Sequence, residues 1–233
     1  MKKMCYNSHK TMSNPQDVRP VVCGGLIFFL HERRNFMSFR VITISREFGS
    51  GGRTIGKELA EKLGYCYYDS ELVSKIAEES GFAQTFIEEH GEDAASPNAL
   101  LFHLNNWGTS YSDTLYDQLY VYQRNMIMEL ASKGNCVIVG RCADYILRDY
   151  SDCLHIFVHA DIEFRKNRIV NQYGEKADSP EKRIKDKDKL RKAFYKYYTN
   201  RSWGQAENYH LCIDSGSVGI EKSVAIISQL VNE

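Results

Sequence analysis

The chain has 233 residues, enough for one domain of ordinary size, and its 30 basic and 30 acidic side chains cancel. A balanced charge argues against the broad electropositive surface that binds nucleic acid or anionic membranes, so no such partner is expected and any anionic ligand must be argued from local clusters. Seven cysteines, an odd number with no CxxC pair and several inside apolar runs, are read as structural thiols, which fits a reducing cytoplasm, with metal or redox chemistry as the alternative.

The first apolar run, VVCGGLIFFL at 21–30, is shorter than the roughly 20 residues a membrane span requires. No small-residue cleavage site separates it from the HERR that follows, so a secretory signal is not expected. Met37 stands just before the first convincing strand, so 1–36 is read as a disordered extension or a product of start-site choice, and 37–233 as one domain.

FRVITIS (39–45) is apolar and β-branched, which predicts a strand; a glycine turn then leads to TIGKELAEKLG, whose Ile55, Leu59 and Leu63 share a helical face. YCYYD (65–69) reads as a short strand ending on Asp69, and SELVSKIAEES as a helix capped by Ser70 and ended by Gly81. From 82 to 110 the pattern is mixed, with GEDAASPN as a loop, before SDTLYDQLYVYQRNMIMELASKG reads as a long helix closed by Gly134. CVIVG (136–140) and CLHIFVHA (153–160) are apolar throughout, as strands buried on both faces are; His155 and His159 are read as strand residues. DIEFRKNRIVNQYG is helical, and SPEKRIKDKDKLRKAFYKYYTN starts another helix with Ser179 as cap and Pro180 in its first turn. YHLCIDSG supplies a last strand and 219–231 a last helix.

Strands alternating with helices predict an α/β fold with a parallel sheet covered on both faces. Ligands of such sheets sit at the carboxyl ends of the strands, which singles out Arg46 to Arg53, Asp69, Arg141, Asp161 and Asp214. In the first of these segments Gly49, Ser50, Gly51 and Gly52 form a turn whose backbone amides can converge on a phosphate, helped by the dipole of the helix behind them.

The segments ITISREFGSGGRTIGKELAEKLGYCYYDSELV, CVIVGRCADYIL and the basic helix with DKDKLRKAFYKYY occur in the same order as their counterparts in a known family. From about residue 39 to the C-terminus the chain resembles the cytidylate kinases and cytidylate kinase-like proteins, among the P-loop nucleoside monophosphate kinases. The resemblance implies a P-loop NTPase three-layer fold with a parallel sheet of about five strands, a helical acceptor-side insert at 82–133 and a lid at 174–201. It implies transfer of the γ-phosphoryl of ATP, with magnesium, to a small phosphorylated acceptor, CMP or dCMP first. Two alternatives stay open: a nucleotide-sensing P-loop protein without transfer chemistry, and a kinase of another acceptor whose pocket Trp107, Tyr111, Tyr116 and Gln123 help to line.

The chain departs from the family's pattern twice. Aligned without gaps on the GxxGxGKG[ST]-like loop, it has Gly52 at the lysine position, Arg53 beside it and Thr54 at the hydroxyl position; where the family resembles DGR it has Val139-Gly140-Arg141. In this alignment Arg46, Gly49, Ser50, Gly51, Gly52, Arg53 and Thr54 form the donor-phosphate cradle, and Arg53 or Arg46 covers the missing cation. Asp69 and Thr54 support a hydrated magnesium, or Asp69 contacts the acceptor; Arg141 faces the acceptor phosphate, with Asp144 as its partner or a solvated carboxylate. Arg165, Arg168, Arg183 and Arg191 are the lid arginines. Arg191 and Asp188 are the best placed of the lid residues, since they keep a D-x-x-R spacing and share a helix side with Ile184, Tyr195 and Tyr198. Arg53, Arg141, Arg191 and Asp188 are accordingly the expected catalytic residues. No general base is required, because the acceptor of a monophosphate kinase is already an anionic oxygen.

Overall fold

The computed structural model describes residues 20–23, 26–29, 39–69, 112–173 and 180–232. Two units separate at Met37 and Ser38. In the first, strands β1 (Pro20–Cys23) and β2 (Leu26–Phe29) pair as an antiparallel hairpin.

The second unit is built on a five-stranded, all-parallel sheet of β3 (Val41–Arg46), β4 (Cys66–Tyr68), β5 (Cys136–Val139), β6 (Cys153–His159) and β7 (Leu211–Asp214). Their order is β4-β5-β3-β6-β7, so β3 lies in the middle and the chain reverses its direction of winding beside it. The crevice at such a reversal is where open α/β sheets bind ligands. The VITISR run of β3 is buried at every position because both faces are covered.

Side-chain alternation along the strands sends neighbouring residues into two separate cores. Val41, Cys136, Ile138 and Cys153 pack with Met126, Ile127 and Leu130 of α2 (Ser112–Lys133) and with Ala143 and Ile146 of α3 (Ala143–Ile146). Ile42, Ile44, Val137, Val139 and Ile156 pack with Ile55 and Leu59 of α1 (Gly52–Leu63) and with Val224, Ile227 and Val231 of α7 (Ile220–Asn232). Each fully buried Ile or Leu contributes about 1.5–3 kcal/mol, so the two layers carry most of the fold's stability. Between β6 and β7 run α4 (Ile162–Tyr173) and α5 (Pro180–Thr199), and α6 (Ser215–Val218) follows β7.

The expected strands and helices fall in these places, with end-residue differences that fraying readily explains. The helix expected over 70–80, its end at Gly81, the 82–110 stretch, Trp107, Tyr111 and the Ser179 cap lie outside the described residues, as does the side chain of Tyr116. Cys66, Cys136, Cys142, Cys153 and Cys212 are free thiols, and no described helix is long and apolar enough to cross a membrane.

Candidate functional site

The end of β3 and the glycine turn wall one side of a cavity of about 210 Å³, and α5 walls the other. Among the described residues five cations line it, Arg46, Arg53, Arg183, Lys187 and Arg191, against the one carboxylate of Glu47. The turn is in the left-handed region at Gly49 (φ 81°) and Gly51 (φ 86°), where a side chain is disfavoured. Gly51 is also the N-cap of α1, so no side chain caps the helix, and its first turn carries no acidic residue. The amides and positive dipole end of α1 are thereby left to an anion from outside.

Ser50 has another job. It is fully buried; its hydroxyl donates to the carbonyls of Glu47 (2.9 Å) and Val158 (3.1 Å), and its own carbonyl accepts from Ser215 Oγ (2.5 Å), which pins the turn to the ends of β6 and β7.

Asp69 is clasped by arginines. Arg53 Nε lies 2.5 Å from its Oδ2 and Arg46 Nη2 3.9 Å from its Oδ1, while the Tyr67 hydroxyl donates to Oδ2 at 3.4 Å. Burial, reinforced by this carboxylate, pushes the Tyr67 hydroxyl above its ordinary range. Thr54 Oγ1 accepts from Arg168 Nη2 at 2.6 Å.

The arginines expected in a lid divide between two helices. Arg165 and Arg168 are on α4 and buried; Arg165 Nη1 donates to Asp188 Oδ2 at 2.5 Å and lies 3.5 Å from Glu47 Oε2. Asp188 and Arg191 do share the buried side of α5 with Ile184 and Tyr195, but each bonds elsewhere. Asp188 Oδ1 accepts from the Phe48 amide (2.8 Å), and Arg191 Nη1 donates to the Arg46 carbonyl (3.0 Å). Arg191 and Arg183 also lie over the Phe48 ring, 5.6 and 5.8 Å from its centre. Phe48 lies within the strand-end stretch Arg46 to Arg53 but is given no role by the sequence, and Lys187 is signalled only by its place in the basic helix.

At the end of β5, Gly140 (φ 80°), Arg141 (φ 62°) and Cys142 (φ 53°) form an unbroken left-handed run. For the two non-glycine residues this conformation costs roughly 1–2 kcal/mol each, and Gln123 steadies it by donating to the Arg141 carbonyl at 2.8 Å. Such strain collects at functional sites. Asp144 is not a solvated carboxylate: it is 4% exposed and accepts from Ser45 Oγ (3.2 Å) and the Tyr195 hydroxyl (2.6 Å), because α3 tucks it under α5. Burial pushes its carboxyl up to about 6, against the pull of those two hydrogen bonds.

Asp161 and Asp214, the other strand-end carboxylates, accept from backbone amides at the starts of α4 and α6 and act as caps. Among the described residues no group of three or more His, Cys, Asp or Glu is placed to hold a metal ion.

The likeness to known proteins covers most of the second unit. The model of the Cytidylate kinase-like family matches residues 41–217. The cytidylate kinase of Pyrobaculum islandicum is 25% identical over 187 residues, 80% of this chain and 89% of that protein. The cytidylate kinase of Archaeoglobus fulgidus is 26% identical over 192 residues, 82% of this chain and 93% of that protein. A crystal structure of an uncharacterized protein from Eubacterium ventriosum shares the fold with a TM-score of 0.63 and 26% identity, over 83% of this chain and 98% of that one. With its parallel five-stranded sheet, glycine turn and three-layer packing, the chain belongs to the cytidylate kinase-like family.

Proposed function

We propose that the protein transfers the γ-phosphoryl of ATP to a nucleoside monophosphate, with CMP or dCMP favoured by kinship with the cytidylate kinases. The observation that carries this reading is the cavity itself, where five cations converge on a glycine turn at an uncapped helix N-terminus. The amides of 49–54 receive the donor phosphates and Arg141 receives the acceptor phosphate. An acceptor oxygen attacks the γ-phosphorus, the bond to the β–γ bridging oxygen breaks, and ADP leaves with the electron pair. No proton need be removed, so positioning and charge neutralisation supply the catalysis. Arg191, held between the Arg46 carbonyl and the Phe48 ring, brings α5 against the reacting phosphates.

The Thr54 hydroxyl and the Asp69 carboxylate are the oxygen donors we assign to magnesium. One hydroxyl and one carboxylate would suit an ion that keeps several waters and takes its remaining ligands from phosphate, provided it displaced the Arg168 and Arg53 guanidinium groups that these two donors now hold. When bound, that ion neutralises charge on the outer phosphates.

A coupled ADP-release assay over all nucleoside monophosphates tests the proposal: turnover is expected first with CMP and dCMP, and no turnover above background with any of them would sink it. One observation favours a nucleotide-binding protein without transfer, namely that Arg53 and Thr54 are already bonded to Asp69 and Arg168. Calorimetry would select that reading if ATP bound equally well with and without magnesium and no turnover followed.

A further inference from the structure

The lysine missing at Gly52 has a counterpart at the other end of the loop. In the GxxGxGKG[ST] pattern the first glycine stands six positions before the lysine, and in the alignment that puts Gly52 at the lysine this first position is Arg46. The pattern's glycine has become an arginine and its lysine a glycine. The structure shows why the two changes go together. A Cβ on Gly52 would stand 2.5 Å from Arg46 Cβ and 3.0 Å from Arg46 Cγ, so the space in which a lysine stem would begin is filled by the stem of Arg46. Gly52 has no positive φ that would itself call for glycine; the close approach of Arg46 supplies the reason.

Arg46 is suited to the vacated role. It ends the central strand β3, its side chain is 5% exposed, and it lines the same cavity as Gly51 and Gly52. Its backbone carbonyl accepts from Arg191 Nη1, and Asp69 lies 3.9 Å from its Nη2, so both ends of the residue are held. Arg53, the other cation of the loop, is half exposed and forms the closer ion pair with Asp69.

We propose that Arg46 is the donor-phosphate cation of this protein, exchanged across the loop with the glycine at 52, so that a guanidinium from the end of β3 does what an ammonium from the start of α1 does in lysine-bearing loops. This rests on the kinase reading for its catalytic consequence and on phosphate binding alone for its geometry. During transfer Arg46 stays protonated, neutralising charge on the outer phosphates as the bond to the leaving oxygen breaks.

The decisive experiment is an exchange series: Arg46→Ala, Arg46→Lys, Gly52→Lys, and the double variant Arg46→Gly with Gly52→Lys. Each is measured for CMP turnover, for tripolyphosphate affinity by calorimetry, and for melting temperature. Arg46→Ala is expected to lower kcat by about 100-fold, with a smaller change in KM. Gly52→Lys alone is expected to melt early and to gain nothing, because its stem collides with Arg46. The double variant is expected to recover tripolyphosphate affinity and most of the turnover, and Arg46→Lys to lie between Arg46→Ala and the wild type. Wild-type values of affinity and turnover in folded Arg46→Ala would overturn the proposal, as would a double variant that folds but binds no better than Arg46→Ala. If the wild type bound tripolyphosphate but phosphorylated no nucleotide, the kinase reading would fail, and the affinity series would still decide for or against Arg46. A wild type that bound no tripolyphosphate would overturn both.

Discussion

The Tyr195 hydroxyl donates to Asp144 Oδ2 at 2.6 Å in a site where both residues are buried, so α5 is bolted to α3. The carboxyl of Asp144 is pushed up by burial to about 6 from 3.8. Its contribution to stability is fully present below about pH 3.8 and is lost as pH rises through about 6, because the folded state holds the proton more tightly. His155 has the opposite sign: burial pushes its imidazole down to about 4 from 6.5, so its contribution is present above 6.5 and lost as pH falls through about 4. Each is worth about 3 kcal/mol in order of magnitude, and between these limits they nearly cancel. In melting experiments, Asp144→Asn should therefore lose stability as pH falls from 6.5 to 4, whereas His155→Gln should gain it. Identical slopes in both variants would refute the assignment.

Asp188 is expected to act through stability more than through contact with substrate. Its ion pair with Arg165 joins side chains that are only 10% and 11% exposed, and its other oxygen holds the Phe48 amide. Asp188→Ala removes the closer of the two carboxylates that face the buried Arg165 guanidinium and leaves it the 3.5 Å contact with Glu47, so the cost is expected at or below the low end of the roughly 3–5 kcal/mol of a fully orphaned buried charge. Asp188→Asn, which keeps an acceptor for Phe48, should cost less, and Arg165→Met with Asp188→Leu should recover most of the loss. Urea midpoints for the four proteins decide the matter; equal midpoints for Asp188→Ala and wild type would contradict it.

The ring of Phe48 carries Arg183 and Arg191 at distances where cation–π attraction operates. Phe48→Leu keeps apolar bulk without the π face, and should weaken tripolyphosphate binding about three- to tenfold while changing the melting temperature little. Phe48→Tyr should bind as the wild type does. If the leucine variant bound equally well, the ring would be packing only.

Two separable effects oppose a side chain at Gly51, the backbone conformation more than the contact, since the atom met is the movable tip of Ile220. The φ of 86° at Gly51 costs an alanine roughly 1–2 kcal/mol, and a Cβ there would stand 2.5 Å from Ile220 Cδ1. Gly51→Ala should lower both melting temperature and tripolyphosphate affinity, and adding Ile220→Ala should relieve only the collision. Full recovery in the double variant would show that backbone strain plays no part.

Much of this was legible in the chain. CVIVG and CLHIFVH announce strands covered on both faces, because an apolar run without polar alternation has no side left for water. The helix after the glycine turn follows from the spacing of Ile55 and Leu59, and its open N-terminus from the glycine before it. The destinations of the charged side chains were not legible. Asp188 and Arg191 sit three apart on one helix, yet Asp188 meets Arg165, 23 residues away; Thr54 meets Arg168 across 114 residues, and Ser45 meets Asp144 across 99.

Residue pattern alone decides the order of strands and helices here, and where the glycine turn stands, because local backbone preference and the period of burial act over a few neighbouring positions. Which cations stand beside that turn is decided only in three dimensions. Arg46 and Gly52 compete for one volume, and Asp69, Asp144 and Asp188 each pair with the donor that sheet order and helix packing bring near. A long charged side chain meets whatever the fold places within its reach, and sequence spacing carries no measure of that distance.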